Sequence, residues 1–308
     1  MTTAVVFAYH DVGVRCLKVL LAQGVTVPLV VTHQDNPAEN IWFESVAATA
    51  REYDIPAITP DNPNLPATLE RVSGERPDFV FSFYFRHMIG SPLLTTAKRG
   101  ALNMHGSLLP KYRGRVPVNW AVIMGEPETG ATLHYMVDKP DAGDIVDRQA
   151  VPILPDDTAP EVFRKVTVAA EIVLHRSLRL LIAGTAPRIQ QDLARGSYFG
   201  GRKPEDGRID WTSTAQTVHN LVRGVAPPYP GAFTTITGKT VRILKSRRQP
   251  GRRGKFFAPT LFVENGVCFA QCADGGVLRI DNIELAGRRL EPREIDAALG
   301  PAPLSLPS

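Results

Sequence analysis

Short apolar runs alternate with helical patterns along the first half of the chain. The apolar runs are rich in β-branched and aromatic residues, as expected of buried strands. In the helical segments apolar residues recur every three or four positions, and Gly24 ends the first of them. This alternation predicts an α/β fold with a Rossmann-like, mostly parallel sheet and helices on both faces. The predicted strands are residues 4–9, 25–32, 79–84 and 101–104, and the predicted helices are residues 12–23 and 41–53.

The second half of the chain has a different pattern. Helical patterns at residues 159–184 and 214–225 flank a segment rich in Gly, Arg and Asp. After a rigid turn at residues 227–231, short alternating segments are separated by Gly and Pro turns, which is typical of a small β-barrel. We therefore predict an OB-like, β-barrel-like C-terminal lobe, with residues 301–308 frayed. Its predicted strands are residues 232–237, 240–246, 260–264, 267–272 and 277–285.

Length and composition predict a globular protein with two domains. The 308 residues exceed what one hydrophobic core usually holds, and 44% hydrophobic with 21% charged residues is an ordinary globular composition. We predict a catalytic domain at residues 1–195 and a C-terminal domain at residues 196–308. No apolar run reaches the roughly 20 residues that cross a bilayer, and the first residues lack a signal-peptide pattern. We therefore expect a cytoplasmic protein without membrane insertion.

The three cysteines predict neither a disulfide framework nor a metal site. Their odd number is typical of reduced thiols. Cys268 and Cys272 are four residues apart in an alternating segment, so they share one face of a strand, and no further ligand types are nearby. We expect both side chains to pack in the core, and we expect no bound metal.

Basic residues are concentrated in one segment, although the net charge of the chain is only +4. Residues 242–255 contain seven Lys or Arg residues and no acidic residue. Such a segment can bind a phosphate backbone or a nucleotide diphosphate, or it can be a solvated loop between two strands. The sequence alone leaves both interpretations open.

The turn after the first strand lacks the fingerprint of a dinucleotide site. Residues 9–13 contain no G-x-G-x-x-G, which disfavours an NAD-dependent oxidoreductase. In open α/β sheets the functional residues lie at the carboxyl ends of the strands. The segments that follow Tyr84 and Leu102 are therefore the first places to search for a site.

Three polar side chains in the stretch at residues 102–145 have the chemistry of acyl transfer. Asn103 and His105 alternate along a strand, so both side chains face the same way. An amide can donate a hydrogen bond to a developing oxyanion, and a histidine can move protons near neutral pH. A carboxylate such as Asp141 can fix the tautomer of the imidazole and favour its charged form.

The same region resembles a known family. Residues 103–110 read Asn-Met-His-Gly-Ser-Leu-Leu-Pro, which resembles the Asn-x-His-x-Ser-Leu-Leu-Pro signature of formyltransferases that use 10-formyltetrahydrofolate. Further segments resemble one branch, UDP-4-amino-4-deoxy-L-arabinose formyltransferase, the formylating half of the bifunctional polymyxin-resistance protein. The resemblance covers almost the whole chain and weakens after about Ser246. The segments similar to that branch are residues 5–11, 32–37, 81–87, 199–206 and 230–233.

The resemblance implies a role for each matching residue. Asn103 would stabilise the oxyanion, His105 would be the general acid/base, and Asp141 would be its partner. The co-substrate would be 10-formyltetrahydrofolate, with the pterin ring held largely by backbone groups. The residues that the resemblance assigns to the formylfolate pocket are His87, Met88, Ile89, Arg115, Val137, Asp138, Lys139, Pro140 and Asp141.

The resemblance also implies a substrate. The formyl group would go to the amine of a nucleotide-linked 4-amino sugar, UDP-4-amino-4-deoxy-L-arabinose, in lipid A modification of lipopolysaccharide, with polymyxin (antibiotic) resistance as the phenotype. A separate UDP-glucuronate decarboxylase/dehydrogenase protein would supply the pathway. Lys111, Tyr112 and Arg113 follow the signature and either contact the nucleotide sugar or are solvated.

Two other functions remain open from the sequence. Methionyl-tRNA formyltransferase has the same signature, but a tRNA enzyme needs a broad basic surface, whereas the basic excess here is confined mainly to one segment. Nucleic acid is therefore the less favoured partner. A non-catalytic module that binds folate or nucleotide is the second alternative, although binding alone does not require Asn103, His105 and Asp141 together.

Overall fold

The computed structural model describes residues 1–37 and 39–307. Seven strands of this described chain form one sheet, and two very short strands pair separately. The strands of this part of the chain are β1 (Thr3–Ala8), β2 (Thr26–Val31), β3 (Ala57–Ile58), β4 (Phe79–Phe83), β5 (Gly100–His105), β6 (Arg113–Gly114), β7 (Glu128–Tyr135), β8 (Ile145–Pro152) and β9 (Tyr198–Phe199).

The large sheet is Rossmann-like and mostly parallel, as predicted. Its order is β3-β2-β1-β4-β5-β7-β8, and the pairs from β3 to β5 are parallel. Residues 4–8 of β1 and the whole of β4 are buried, which explains their continuous apolar sequences. Strands β7 and β8 extend the sheet in antiparallel register and were not predicted. The buried residues of β7 include Thr129, Thr132 and His134, so its sequence lacks an apolar signal.

Helices are present at all four predicted patterns, and the bounds differ clearly at one of them. The pattern at residues 41–53 yields a helix only from Val46, because the side-chain oxygen of Ser45 caps its first turn by accepting a hydrogen bond from the Ala48 N–H (3.2 Å). The aromatic residues before it pack against His10 instead. The helices are α1 (His10–Ala22), α2 (Val46–Glu52), α3 (Pro66–Gly74), α4 (Ser91–Leu94), α5 (Pro117–Ile123), α6 (Ala159–Ala183), α7 (Ala215–Gly224) and α8 (Ile295–Leu299).

The C-terminal part contains a curled antiparallel sheet, a half-barrel. Its order is β10-β11-β14-β13-β12-β16, and β15 pairs with β14. Helix α7, capped by Thr214, packs on β11 and β14. Cys268 and Cys272 are reduced and buried in this core, as predicted. The strands are β10 (Ala232–Ile236), β11 (Lys239–Arg253), β12 (Thr260–Glu264), β13 (Val267–Gln271), β14 (Gly276–Leu285), β15 (Arg288–Leu290) and β16 (Leu304–Ser305).

In the C-terminal part the structure overturns one interpretation that the sequence left open and one prediction. Most of the basic segment is not a loop, because β11 continues to Arg253. Its charges are partly neutralised by acidic residues of neighbouring strands, such as Glu284 beside Arg242 and Asp281 beside Arg247. The end of the chain is not frayed at Leu304, which pairs with β12 and buries its side chain in the core. Ser308 lies outside the described residues.

The chain divides into two compact units by its internal contacts. The first comprises Met1–Pro117, Glu128–Pro152 and Phe163–Gly200, and the second comprises Val118–Pro127, Ile153–Val162 and Gly201–Ser308. The domain division predicted between residues 195 and 196 stays a prediction. Within the described residues, no helix has both the length and the apolar character that crossing a membrane requires.

Trp211 provides a test of the second core. Its side chain is fully buried, and its indole Nε1 donates a hydrogen bond to the Thr234 hydroxyl (3.0 Å). Trp211→Ala should lower the free energy of unfolding by about 3–5 kcal/mol, because it removes a large packed side chain and leaves a cavity. The measurement is urea denaturation. Phe257→Ala is the matched control, since that ring is fully exposed and its loss should change stability by less than about 0.5 kcal/mol.

Candidate active site

The three residues singled out near β5 come together at the carboxyl end of that strand. The Asn103 Nδ2 atom lies 3.4 Å from Oδ1 of Asp141, and the His105 Nδ1 atom lies 3.5 Å from the same oxygen. The side chains of His105 and Asp141 are 7% and 14% exposed, so water screens the interaction between them only weakly. The geometry thus joins an amide donor, an imidazole and a carboxylate in one cluster.

One nitrogen of His105 is fixed by the backbone. Its Nε2 atom lies 2.7 Å from the carbonyl oxygen of Tyr112. Because a carbonyl only accepts, Nε2 carries a hydrogen and donates to it. The other nitrogen, Nδ1, faces Asp141 and is the atom at which His105 can gain or lose a proton.

Asp141 is held as an anion by several neighbours. Burial by itself would raise the pKa of its carboxyl, but His105, His134 and the Gly114 N–H outweigh that effect and hold the pKa well below its usual range. The Gly114 N–H donates to Oδ2 at 2.8 Å. Gly114 has a φ of +98°, and a side chain there would overlap the carbonyl oxygen of Phe199. A glycine is therefore required at this position.

His134 belongs to the cluster and was missed by the sequence analysis. It lies directly opposite Asn103 in the β5–β7 pairing and is 1% exposed. Its Nδ1 donates to the carbonyl oxygen of Tyr135 (2.8 Å), and its Nε2 lies 3.2 Å from Asn103 Nδ2 and 3.5 Å from Asp141 Oδ1. The Nε2 atom of His134 therefore faces both the Asn103 amide and the Asp141 carboxylate. The sequence analysis missed His134 because its side chain is polar and the buried strand that carries it, β7, was not predicted.

Two other histidines that follow strands are poorly suited to proton transfer. His10 stacks on Phe43 with ring centroids 3.9 Å apart, and His33 stacks on Phe85 at 4.2 Å. Burial, with help from Arg86, lowers the pKa of His10 to about 3. Burial, His87 and Arg86 lower the pKa of His33 to about 4. Both rings therefore stay uncharged near neutral pH.

The two segments that the resemblance assigns to formylfolate lie next to each other. The hydroxyl of Ser91, just after residues 87–89, donates a hydrogen bond to the Asp138 carboxylate in residues 137–141. Met88 and Val137 are 60% and 47% exposed, so each segment presents an apolar side chain at the surface. Arg115 is tied to the first segment, because its guanidinium donates to the carbonyl oxygen of Arg86 (3.1 Å).

The loop after the signature is only partly solvated. Lys111 is exposed, whereas Tyr112 and Arg113 are 7% and 8% exposed. The Tyr112 ring stacks on Phe199 with centroids 5.2 Å apart, and β6 pairs with β9 in parallel beside it. Arg113 Nε is buried and has no hydrogen-bond partner among the described residues. The solvated interpretation is therefore wrong for Tyr112 and Arg113.

Comparison with known proteins identifies the family. Residues 14–178 match the family model described as formyl transferase, and residues 202–296 match the formyl transferase C-terminal domain. The first match alone covers more than half of the chain. The chain therefore belongs to the formyl transferase family and is a formyl-transferring enzyme. Within the described residues, no group of three or more His, Cys, Asp or Glu side chains is arranged to hold a metal ion.

Solved structures share the fold over most of the chain. An N-formyltransferase from Helicobacter canadensis, solved with folinic acid and dTDP-3-aminofucose, is 22% identical, with 91% of this chain and 99% of that chain covered and a TM-score of 0.70. WlaRD, a sugar 3N-formyl transferase solved with dTDP and 5-N-formyl-THF, is 19% identical over 94% and 99%, with a TM-score of 0.70. A 4-N formyltransferase from Francisella tularensis is 20% identical over 75% and 91%, with a TM-score of 0.62.

The low pKa of Asp141 predicts how stability depends on pH. A carboxyl whose pKa is depressed in the folded state binds fewer protons than in the unfolded state, where its pKa is about 3.9. Its stabilising contribution is complete well above pH 4 and is lost as the pH falls towards the folded-state pKa. Asp141→Asn should therefore be less stable than the wild type at pH 7, and this difference should shrink between about pH 4 and pH 2. Urea denaturation across that range measures it, and a difference independent of pH would contradict the ionised state of Asp141.

Proposed function

We propose that this enzyme transfers a formyl group from 10-formyltetrahydrofolate to the amine of a nucleotide-linked 4-amino sugar, with UDP-4-amino-4-deoxy-L-arabinose as the substrate. The observation that carries the proposal is the cluster at the end of β5. It places an amide donor, Asn103, and a proton-accepting imidazole, His105, within 3.5 Å of one buried carboxylate. These are the groups that transfer of a formyl group to an amine requires.

Asn103 is the oxyanion donor in the proposed reaction. Bound 10-formyltetrahydrofolate supplies an activated formyl group, and negative charge builds on its oxygen as the amine attacks. The bond from Asn103 Nδ2 to Asp141 is long at 3.4 Å, so Asn103 loses little when it exchanges this bond for one to a substrate oxygen. The contact of the same amide with His134 keeps its nitrogen facing the cluster.

His105 and Asp141 form the proton-transfer pair of the proposal. The attacking amine must lose a proton, and His105 can take it at Nδ1, because Nε2 already donates to Tyr112. The imidazolium that forms is stabilised by the Asp141 carboxylate at 3.5 Å. The same nitrogen then returns the proton to the departing folate nitrogen.

The proposed site for the folate donor is the surface beside residues 87–89 and 137–141. Exposed Met88 and Val137 offer apolar contacts for a pterin ring, and the hydrogen bond between Ser91 and Asp138 joins the two segments. Two structures that share the fold were solved with folinic acid or 5-N-formyl-THF. We assign the pterin to these segments, together with Arg115.

An anionic nucleotide sugar suits the site better than tRNA. Arg113 is nine-tenths buried with no acidic partner among the described residues, and a buried guanidinium is stabilised by an anion such as a diphosphate. Basic residues of β11 are partly paired with acids, which leaves less positive charge for an RNA backbone. Structures that share the fold include proteins solved with dTDP or a dTDP-sugar, and one described as a 4-N formyltransferase.

The remaining parts of the proposal concern the biological setting. We place the activity in the cytoplasm, with residues 1–195 as the catalytic domain and residues 196–308 as the C-terminal domain. With the aminoarabinose substrate, the product would serve lipid A modification and polymyxin resistance. A separate decarboxylase/dehydrogenase protein would then form the precursor from UDP-glucuronate.

A substrate panel tests the proposed activity. Purified protein with 10-formyltetrahydrofolate is offered UDP-4-amino-4-deoxy-L-arabinose, dTDP-linked amino sugars and methionyl-tRNA, and products are read by mass spectrometry. We expect one formyl group to be added to the UDP-sugar, with the reaction lost in His105→Ala. Formylation of a dTDP-sugar alone would replace the proposed sugar, and formylation of methionyl-tRNA alone would replace the substrate class. Folate binding without any product would favour the non-catalytic module.

Asn103→Ala tests the oxyanion role separately. Removal of one such donor typically lowers kcat by about 10²–10³-fold, and the same loss is expected here. The thermal unfolding profile should stay close to that of the wild type, because Asn103 is only partly buried. A variant with nearly normal kcat and a normal unfolding profile would remove Asn103 from the mechanism.

A further inference from the structure

The backbone at Asp141 has an uncommon conformation. Asp141 has a φ of +52°, in the left-handed region that L-residues other than Asn and Asp seldom adopt. Two residues later, Gly143 lies so close to the carbonyl oxygen of Tyr135 that a side chain would overlap it. The contacts that other segments make with residues 138–144 are therefore of interest for the position of Asp141.

Gln191 supplies such contacts. Its Nε2 atom donates to the carbonyl oxygen of Gly143 at 2.6 Å and to the carbonyl oxygen of Asp141 at 3.0 Å. The segment before it is anchored to the sheet, because Ile189 and Ile145 exchange two backbone hydrogen bonds of 2.8 and 2.9 Å. Gln191 itself is buried, with 9% of its surface exposed, and it follows directly on this anchored segment.

The orientation of the Gln191 amide is determined by its surroundings. Both hydrogens of Nε2 point at carbonyl oxygens, and a rotated amide would place Oε1 against the same two acceptors. Oε1 itself is buried without a hydrogen-bond partner among the described residues. Leaving that oxygen unsatisfied costs stability, so the two bonds made by Nε2 must outweigh the cost.

The bonded carbonyl belongs to the residue whose carboxylate faces the cluster. Asp141 Oδ1 lies 3.5 Å from His105 Nδ1 and 3.4 Å from Asn103 Nδ2. Displacement of a catalytic group by about 1 Å can lower the rate by about 10²-fold. A contact that fixes the Asp141 backbone therefore also sets these two distances.

We propose that Gln191 is a positioning residue for formyl transfer. Its amide donates to the carbonyl oxygens of Asp141 and Gly143 and thereby keeps the Asp141 carboxylate at its observed distances from His105 and Asn103. The expected effect of Gln191 on kcat rests on the proposed function. The structural part, that Gln191 holds residues 138–144, does not depend on any substrate.

The test compares Gln191→Met with Gln190→Met. Methionine matches glutamine in length but cannot donate, and Gln190 is its exposed neighbour, so the control carries the same chemical change next to the contact. Amide hydrogen exchange of residues 138–144 should be faster in Gln191→Met and unchanged in Gln190→Met. With formyl donor and amino sugar, kcat should fall about 10- to 100-fold in Gln191→Met and less than about twofold in Gln190→Met.

A double-mutant cycle with Asp141→Asn separates positioning from a general loss of structure. If Gln191 acts through the Asp141 carboxylate, Gln191→Met in the Asp141→Asn background should lower kcat by less than about threefold further. Losses that multiply in full would overturn the proposal. Gln191→Asn, whose shorter side chain places the donors out of reach, repeats the comparison if the methionine variant does not fold.

The outcomes of this test and of the proposed function are distinguishable. If the wild type formylates none of the amines, the proposed function fails, and hydrogen exchange alone decides whether Gln191 holds the loop. Unchanged exchange in residues 138–144 of a folded Gln191 variant overturns the inference, whatever the activity. Faster exchange with undiminished kcat also overturns it, because the loop would then be held without consequence for catalysis.

Discussion

The Asp141 carboxylate is shared by two histidines and a backbone N–H in a space with little access to water. Its Oδ1 faces His105 and His134, each at 3.5 Å, while Oδ2 accepts a hydrogen bond from the Gly114 N–H. Burial of an anion destabilises the folded protein unless such partners surround it, so the ionised carboxylate requires these contacts. The carboxylate therefore links three separate segments of the chain in one arrangement.

The sheet provides the rigid part of this arrangement. Strands β5 and β7 pair in a register that sets Asn103 opposite His134. Because both residues are on paired strands, the distance between their side chains is determined by backbone hydrogen bonds rather than by loop conformation. The other side chains of the proposed proton-transfer site thus lie on paired strands, and only Asp141 lies in a loop.

The loop that carries Asp141 is joined by hydrogen bonds to two other segments of the chain. Asp141 has a positive φ, and Gln191 donates hydrogen bonds to the carbonyl oxygens of Asp141 and Gly143. The contact between Ser91 and Asp138 connects the same loop to the segment proposed to bind the pterin. The site that we propose for the donor and the proposed proton-transfer pair therefore share one backbone segment.

The sequence by itself determined the fold class and singled out three members of the cluster, Asn103, His105 and Asp141. Continuous apolar runs identified the parallel strands, because strands buried on both faces need apolar residues throughout, and the signature around Asn103 and His105 identified the chemistry. It could not identify β7, since the side chains buried there include Thr132 and His134, which give no apolar signal. Nor could it join His134 and Gln191 to Asp141, which are 7 and 50 positions away along the chain. Those contacts depend on strand register and on the path of a distant segment, and only the tertiary structure decides both.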